Sequence, residues 1–182
     1  GFFDLTPMGF HGSVRAPSGT IYIDPVTKGD TKHYVSYYIR DHKPAQVMGK
    51  CEVTDDVGVA VNPHLAQRRT GPTRRQYRLA IACTAEYTAA NGGTVTAALA
   101  NVTTTLNRVI AVYLPEFTIT FQLVANETSV IFTNGTTDGL TNTNNSTTLG
   151  EITTVLNTAI GSGNYDIGHC FTTTGGGIAT LG

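Results

Sequence analysis

Charged residues are scarce in this sequence of 182 residues: they make up 14% of it, well below the usual quarter. The formal net charge is −1, whereas a protein that binds nucleic acid through its phosphates normally has an excess of basic residues. No uninterrupted apolar run approaches the length of about 18 residues that a membrane-spanning helix needs. We therefore expect neither a nucleic-acid partner nor a membrane span.

The sequence also lacks the features of a targeting segment. Residues 1–4 have neither the basic start nor the apolar stretch of a signal peptide, so we expect a mature or trimmed chain. Lysine is rare and threonine and glycine are abundant, a composition that is common among secreted proteins. We expect a secreted or cell-surface location, and a hydrophobic share of 40% is enough for one domain with a small companion.

Basic residues are absent from the last part of the chain: all 12 lysines and arginines lie in residues 1–108. Four arginines fall close together in a stretch that has no hydrophobic periodicity, namely Arg68, Arg69, Arg74 and Arg75. Such a stretch is typical of an exposed linker, which we place at residues 67–76. It is either a solvated loop or a processing site for an Arg-specific protease.

Residues 1–66, which precede the linker, have the pattern of short strands. Runs of β-branched and aromatic residues at 20–23, 33–39 and 57–61 are separated by turn residues. The pattern predicts a β-rich segment.

Residues 77–182, which follow the linker, have the pattern of an α/β fold. A nearly continuous apolar run at 77–84 predicts a strand that is buried on both faces. Apolar residues then recur in steps of three and four from Val95 to Tyr113, which predicts an amphipathic helix that Pro115 ends. Strands at 117–123 and 129–132, a second helix between Leu149 and Ile160, and a strand at 165–171 follow. This order predicts a sheet with right-handed crossovers.

Four segments occur in order in this second part: RRQYRLAIA (74–82), TVTAALANV (94–102) continuing to LNRV (106–109), LVAN (123–126) and DIGH (166–169). Their succession resembles the secreted bacterial reprolysin-like zinc metalloproteases of the metzincin clan, closely over 74–182 and more loosely over 1–66. The resemblance implies a twisted, mostly parallel sheet with two helices, preceded by a β-rich pro-segment. It also implies zinc as the cofactor of the full-length protein and a peptide or protein substrate.

The zinc motif of that family, His-Glu-x-x-His, is absent from these residues. The five histidines are His11, His33, His42, His64 and His169, and no two of them are spaced i, i+4 around a Glu. That spacing puts two imidazoles on one helix face to hold the metal, with the Glu beside them to activate water. We therefore expect no bound zinc and no catalytic residue in this part alone, and we expect the chain to continue beyond Gly182.

Cys51 lies in the segment MGKCEVT, residues 48–54. The segment is similar to the cysteine switch of reprolysin pro-domains, in which a thiolate occupies the open position on the zinc. It departs from the family pattern because Glu52 stands where Gly is expected. Cys51 is therefore either an inhibitory switch thiol or an ordinary unpaired cysteine.

Cys83 and Cys170 each fall near the C-terminal end of a predicted strand. In the metzincin sheet these two strands are parallel neighbours, so the resemblance allows a disulfide between them. Two buried free thiols, or a bond to a cysteine beyond residue 182, remain as alternatives. His169 and Cys170 do not make a nucleophile and its base, because adjacent strand residues point to opposite faces.

The glycine run at 175–177 has neither the spacing nor the following helix of a phosphate-binding loop. By the resemblance, the next residues form an edge strand that pairs with extended substrate: Gly177, Ile178, Ala179, Thr180 and Leu181. A flexible chain end is the alternative interpretation.

Two functions are consistent with these features. The first is the N-terminal portion of a secreted zinc endopeptidase zymogen, inactive alone, whose partner is the remainder of its own catalytic domain. The second is a non-catalytic structural or self-assembling extracellular protein on the same scaffold. Low charge and strand-forming termini suit an exchange of strands between copies.

Overall fold

A computed structural model of the chain describes residues 1–43 and 73–180. Their strands are β1 (Phe2–Thr6), β2 (Gly9–Ala16), β3 (Gly19–Pro25), β4 (Tyr34–Tyr38), β5 (Arg75–Cys83), β6 (Ile119–Leu123) and β7 (Ile167–Phe171), and their helices are α1 (Ala85–Ala90), α2 (Val95–Phe117) and α3 (Asn145–Ala159). The strands form two sheets, which we call the N-terminal sheet (β1 to β4) and the parallel sheet (β5 to β7).

The N-terminal sheet is antiparallel and has the strand order β1-β2-β3-β4. Gly9 and Gly19 begin β2 and β3 with φ angles of 116° and 127°, a conformation that glycine adopts without steric cost. Strands were predicted at residues 20–23 and 33–39, where β3 and β4 lie, but the sequence pattern did not single out β1 or β2. The strand predicted at residues 57–61 lies outside the described residues.

The parallel sheet has the order β6-β5-β7, which confirms the predicted α/β fold. α2 connects β5 to β6 and packs against Leu79, Ile81 and Cys83 on one face of the sheet. α3 connects β6 to β7 and packs against Ala80 and Ala82 on the other face. Because side chains alternate between the faces of a strand, the apolar run of β5 supplies both clusters and is buried on both sides, as predicted.

α2 begins at the cap residue Thr94, whose hydroxyl accepts the N–H of Ala97 at 3.2 Å. The prediction that Pro115 ends this helix was wrong, because the helix continues to Phe117. A proline in the last turn removes only one intrahelical N–H donor. The helix ends instead where Thr118 adopts a left-handed conformation, with φ 59°.

The length and composition of α2 would allow it to cross a membrane, since one 18-residue window has a mean hydropathy of 1.2. The absence of a span therefore stays a prediction. In the part of the chain that the structure describes, one side of α2 packs on the parallel sheet and another side contacts the N-terminal sheet. The layers are thus the N-terminal sheet, α2, the parallel sheet and α3.

The prediction of a strand at residues 129–132 was wrong. Residues Glu127–Val130 form a 3₁₀ turn, and only Ile131 pairs with β5, in a single bridge to Cys83. The sequence pattern also missed the short helix α1, which the side chain of Thr84 caps by accepting the N–H of Tyr87 at 3.2 Å. The apolar residues at 129–132 predicted a strand, but the chain forms a turn up to Val130 and touches the sheet only at Ile131.

Candidate functional site

The described histidines belong to different elements of the fold, and His42, which follows β4, packs its ring on Tyr37. His11 is in β2, His33 bonds Asp30 in the loop before β4, and His169 is in β7. Within residues 1–43 and 73–180, no three His, Cys, Asp or Glu side chains come together in a way that could hold a metal ion. These residues do not fit the zinc that the resemblance implies, so the described part of the chain supplies no zinc site.

Several of the predicted site residues lie outside the described residues. They are Cys51, the candidate switch thiol, and the linker residues Arg68 and Arg69. Arg74 is exposed just ahead of β5, and Arg75 is the first residue of β5. The strand therefore begins one residue before the predicted end of the linker at 76.

The disulfide considered between Cys83 and Cys170 is not formed, because both are free thiols. In the ladder between β5 and β7, Cys83 lies opposite Phe171 and Cys170 lies opposite Ala82. This offset of one residue places the two sulfurs on opposite faces of the sheet. Burial raises the pKa of both thiols, that of Cys170 to about 12, so both are protonated at neutral pH.

His169 lies on the opposite face from Cys170, as the alternation predicts. It pairs in register with Ile81, and its ring packs edge-on against Phe171 with the centroids 5.1 Å apart. Desolvation by the packed neighbours lowers the pKa of His169 although the residue reaches the surface. Its observed role is therefore aromatic packing.

The predicted substrate strand has little regular structure. Gly177 makes an isolated β-bridge, Ile178, Ala179 and Thr180 belong to no strand, and Leu181 lies outside the described residues. Among the described residues β7 pairs only with β5, so its other edge is open. Pairing with substrate here stays a prediction.

A polar cluster that the sequence pattern missed fills the space at the carboxyl ends of β5 and β7. The Oδ1 of Asn142 accepts the hydroxyl of Thr84 at 3.0 Å and the N–H of Thr173 at 2.9 Å. The buried carboxylate of Asp138 accepts the N–H groups of Ala85 and Leu140, each at 3.2 Å. Ligands of open α/β sheets bind at this edge, but here the chain's own side chains satisfy one another. The cluster therefore holds the loops in place.

The second cluster that the sequence pattern missed joins the N-terminal sheet to α2, and Arg108 is its centre. The guanidinium of Arg108 donates to the carboxylate of Asp24 in β3 and lies over the ring of Tyr22, 4.3 Å from its centroid. The hydroxyl of Tyr37 donates to the same carboxylate at 2.7 Å. Burial, followed by this bond to Asp24, raises the pKa of Tyr37 to about 12, so Tyr37 stays a donor at all physiological pH values.

Asp4 in β1 makes the neighbouring contacts. Its carboxylate accepts the hydroxyl of Thr104 at 2.8 Å and the amide of Asn107 at 3.3 Å, both from α2. The Nδ1 of His11 lies 3.2 Å from this carboxylate. Asp4 and His11 are mostly buried, with side-chain exposures of 9% and 16%. The geometry therefore supports attachment of one module to another, without a reacting centre.

The family comparison concerns only one of these modules. Residues 73–181 match the model of metallo-peptidase family M12B, reprolysin-like, which is more than half of the chain. The N-terminal sheet lies entirely outside that match. No curated protein and no solved structure matches the chain. The chain belongs to the reprolysin-like metallopeptidases of family M12B.

Proposed function

We propose that this chain is the N-terminal part of a secreted, zinc-dependent endopeptidase that is made as a zymogen. Residues 1–66 are its pro-segment and residues 77–182 are the first part of its catalytic domain. The observation that carries the proposal is the N-terminal sheet itself, a separate module outside the family match that docks on α2 within it. Metallopeptidases act on protein or peptide substrates, and this family is usually zinc-dependent.

The position of the arginines supports the same division. Arg68 and Arg69 lie between the N-terminal sheet and the matched part, and Arg74 and Arg75 lie at the start of that part, where β5 begins. Cleavage there by an Arg-specific protease would separate the two modules without breaking an element that the structure describes, provided that it occurs before Arg75. The proposal places the zinc ligands and the catalytic Glu beyond Gly182.

The coding sequence downstream of Gly182 tests this proposal first. We expect a His-Glu-x-x-His motif, and a longer product that contains it should bind zinc and cleave a casein substrate faster after an Arg-specific protease has cut the linker. The matched control replaces Arg68, Arg69, Arg74 and Arg75 by Gln, and this variant should stay latent under the same treatment. A stop codon, or continued coding sequence without the motif, would rule out the peptidase.

One observation favours the second candidate, an assembling extracellular protein. The face of the N-terminal sheet that points away from α2 is apolar, with Phe3 53% and Leu5 80% exposed. Analytical ultracentrifugation of the 182-residue chain separates the two candidates. Concentration-dependent assemblies that disappear in a Phe3→Ser, Leu5→Ser variant would favour assembly, whereas a monomer at all concentrations would contradict it.

A further inference from the structure

Polar side chains connect the N-terminal sheet to α2 in the described part of the chain. Both hydrophobic clusters of the described residues are built from residues after the linker, and the N-terminal sheet contributes to neither. The sheet instead turns its polar face to α2, because Asp4, His11 and Asp24 are register neighbours across β1, β2 and β3. Its aromatic residues Phe3 and Phe10 stack on the opposite face, with ring centroids 5.8 Å apart.

The matching stripe of α2 is polar and has small residues at its ends. Ala100, Thr104, Asn107, Arg108 and Ala111 recur at helical spacing, and both alanines are buried, with exposures of 4% and 3%. Small side chains let the sheet approach closely, while the three polar side chains reach Asp4 and Asp24. The stripe is therefore complementary to the sheet in hydrogen bonding.

The contacts divide into a central group and a rim. Arg108 is 30% exposed and Asp24 19%, so their ion pair is partly shielded from solvent, and Tyr22 and Tyr37 flank it. The rim pair of Arg15 with Glu116, at 3.1 Å, is more exposed, at 44% and 56%. Partly buried Arg and Tyr residues supply most of the energy in interfaces of this kind, and exposed rim pairs supply little.

We propose that the α2 stripe is a docking surface that holds the N-terminal sheet non-covalently after the linker has been cut, and that releases it when ionic strength rises. The inference rests on the proposed function, because it treats the sheet as a module separable by cleavage. Permanent interfaces are rich in apolar contacts, whereas the N-terminal sheet belongs to neither hydrophobic cluster of the described residues. Salt weakens partly exposed ion pairs, and water replaces the remaining hydrogen bonds, so release requires no unfolding of either hydrophobic cluster.

The test uses the full chain with a site for a specific protease inserted between Gly71 and Pro72. After cutting, size-exclusion chromatography should recover the two pieces as one complex in about 50 mM NaCl and as separate pieces in about 1 M NaCl, where the Debye length falls to about 3 Å. We expect the Kd to rise at least tenfold between these conditions, on the order of the salt effects seen for charge-based association.

Arg108→Met keeps the length of the side chain and removes its charge. We expect at least a roughly tenfold weaker complex in low salt, since a central Arg contact is a typical hot spot. The matched control is Arg15→Met at the rim, which should leave the complex intact. Circular dichroism of the cut chains checks that both variants are folded.

Three results would overturn the docking surface: separation of the parent pieces in low salt, a complex that survives high salt, or an Arg108→Met complex as tight as the parent. None of these depends on zinc or on the sequence after Gly182. A missing zinc motif would instead refute the proposal that the protein is a zymogen, and the docking measurement would keep its meaning.

Discussion

The carboxylate of Glu127 accepts the backbone N–H of Ile81 at 2.7 Å, at the point along β5 where β6 has already left the sheet. β6 last pairs with β5 at Leu123, and the next residue to pair with β5 is Ile131, which bridges to Cys83. Between these two points the side chain of Glu127 takes the place of a strand carbonyl. Its second oxygen, Oε2, is buried and has no hydrogen-bond partner within the described residues. Burial raises the pKa of Glu127 to about 7, and the bond from Ile81 offsets only part of this effect.

Glu127 should make stability depend on pH in a defined direction. Because its pKa rises from 4.5 to about 7 on folding, the folded state binds more protons between these values, and the free energy of unfolding falls as pH rises through this window. The loss is at most about 3 kcal/mol. Glu127→Gln keeps an acceptor for Ile81 and cannot ionise, so it should be more stable than the parent at pH 8.

Urea unfolding at several pH values between about 4.5 and 8 measures this effect. The exposed residue Glu86 provides the control, because Glu86→Gln should keep the parental slope. Equal slopes in the parent and in Glu127→Gln would show that Glu127 ionises normally.

Gly168 in β7 allows α3 to pack closely. A Cβ at this position would lie 2.6 Å from Cδ1 of Leu156, and Leu156 is only 1% exposed and has no room to move. Gly168→Ala should therefore lower the free energy of unfolding by about 1–3 kcal/mol through overpacking. Gly163→Ala is the matched control, since no atom lies within 4 Å of its Cβ position. A neutral Gly168→Ala variant in thermal unfolding would contradict this packing.

Thr118 carries backbone strain where α2 ends. It is the only non-glycine residue with positive φ in the described part of the chain, and β-branched residues tolerate that conformation poorly. Thr118→Asn should raise the free energy of unfolding by roughly 0.5–1 kcal/mol, because asparagine adopts the left-handed conformation more readily. Thr118→Val keeps the branching and should give no gain. If both variants had the same Tm, the strain would be refuted.

Cys83 and Cys170 should behave as free thiols with unequal access. In denaturant without a reductant, an alkylating reagent should label both, and peptide mass spectrometry should find no peptide that links them. In the native protein Cys83 should react with the reagent far more slowly than Cys170, because Cys83 is fully buried and its pKa is raised. A linked peptide that contains both cysteines would contradict the strand register.

The main elements of the second part followed from local sequence. The period of the apolar residues predicted α2 and α3, and the continuous apolar run predicted the central strand β5, because each pattern depends on residues close together in the chain. The same local logic failed at residues 129–132. There the buried side chain of Glu127 holds the chain in a turn, and no apolar pattern signals such a contact.

The candidate docking surface could not be predicted in the same way. Its central contact joins Arg108 to Asp24, 84 residues apart in the chain, and each residue taken alone is typical of a solvated surface. The small and polar residues at 100, 104, 107 and 111 show where α2 lacks large apolar side chains. They do not show that another sheet covers this stripe.

The sequence by itself therefore determined the α/β character of the second part, the strands near residues 20–23 and 33–39 of the first, and the family to which the second belongs. Helical and strand periods and turn residues act within a few residues of each other, so a linear reading detects them. Only the tertiary structure decided that Cys83 and Cys170 face opposite ways, that Glu127 completes β5, and that Arg108 binds the N-terminal sheet. Each of these depends on strand register or on contacts across the fold, where a shift of one residue reverses the face that a side chain occupies.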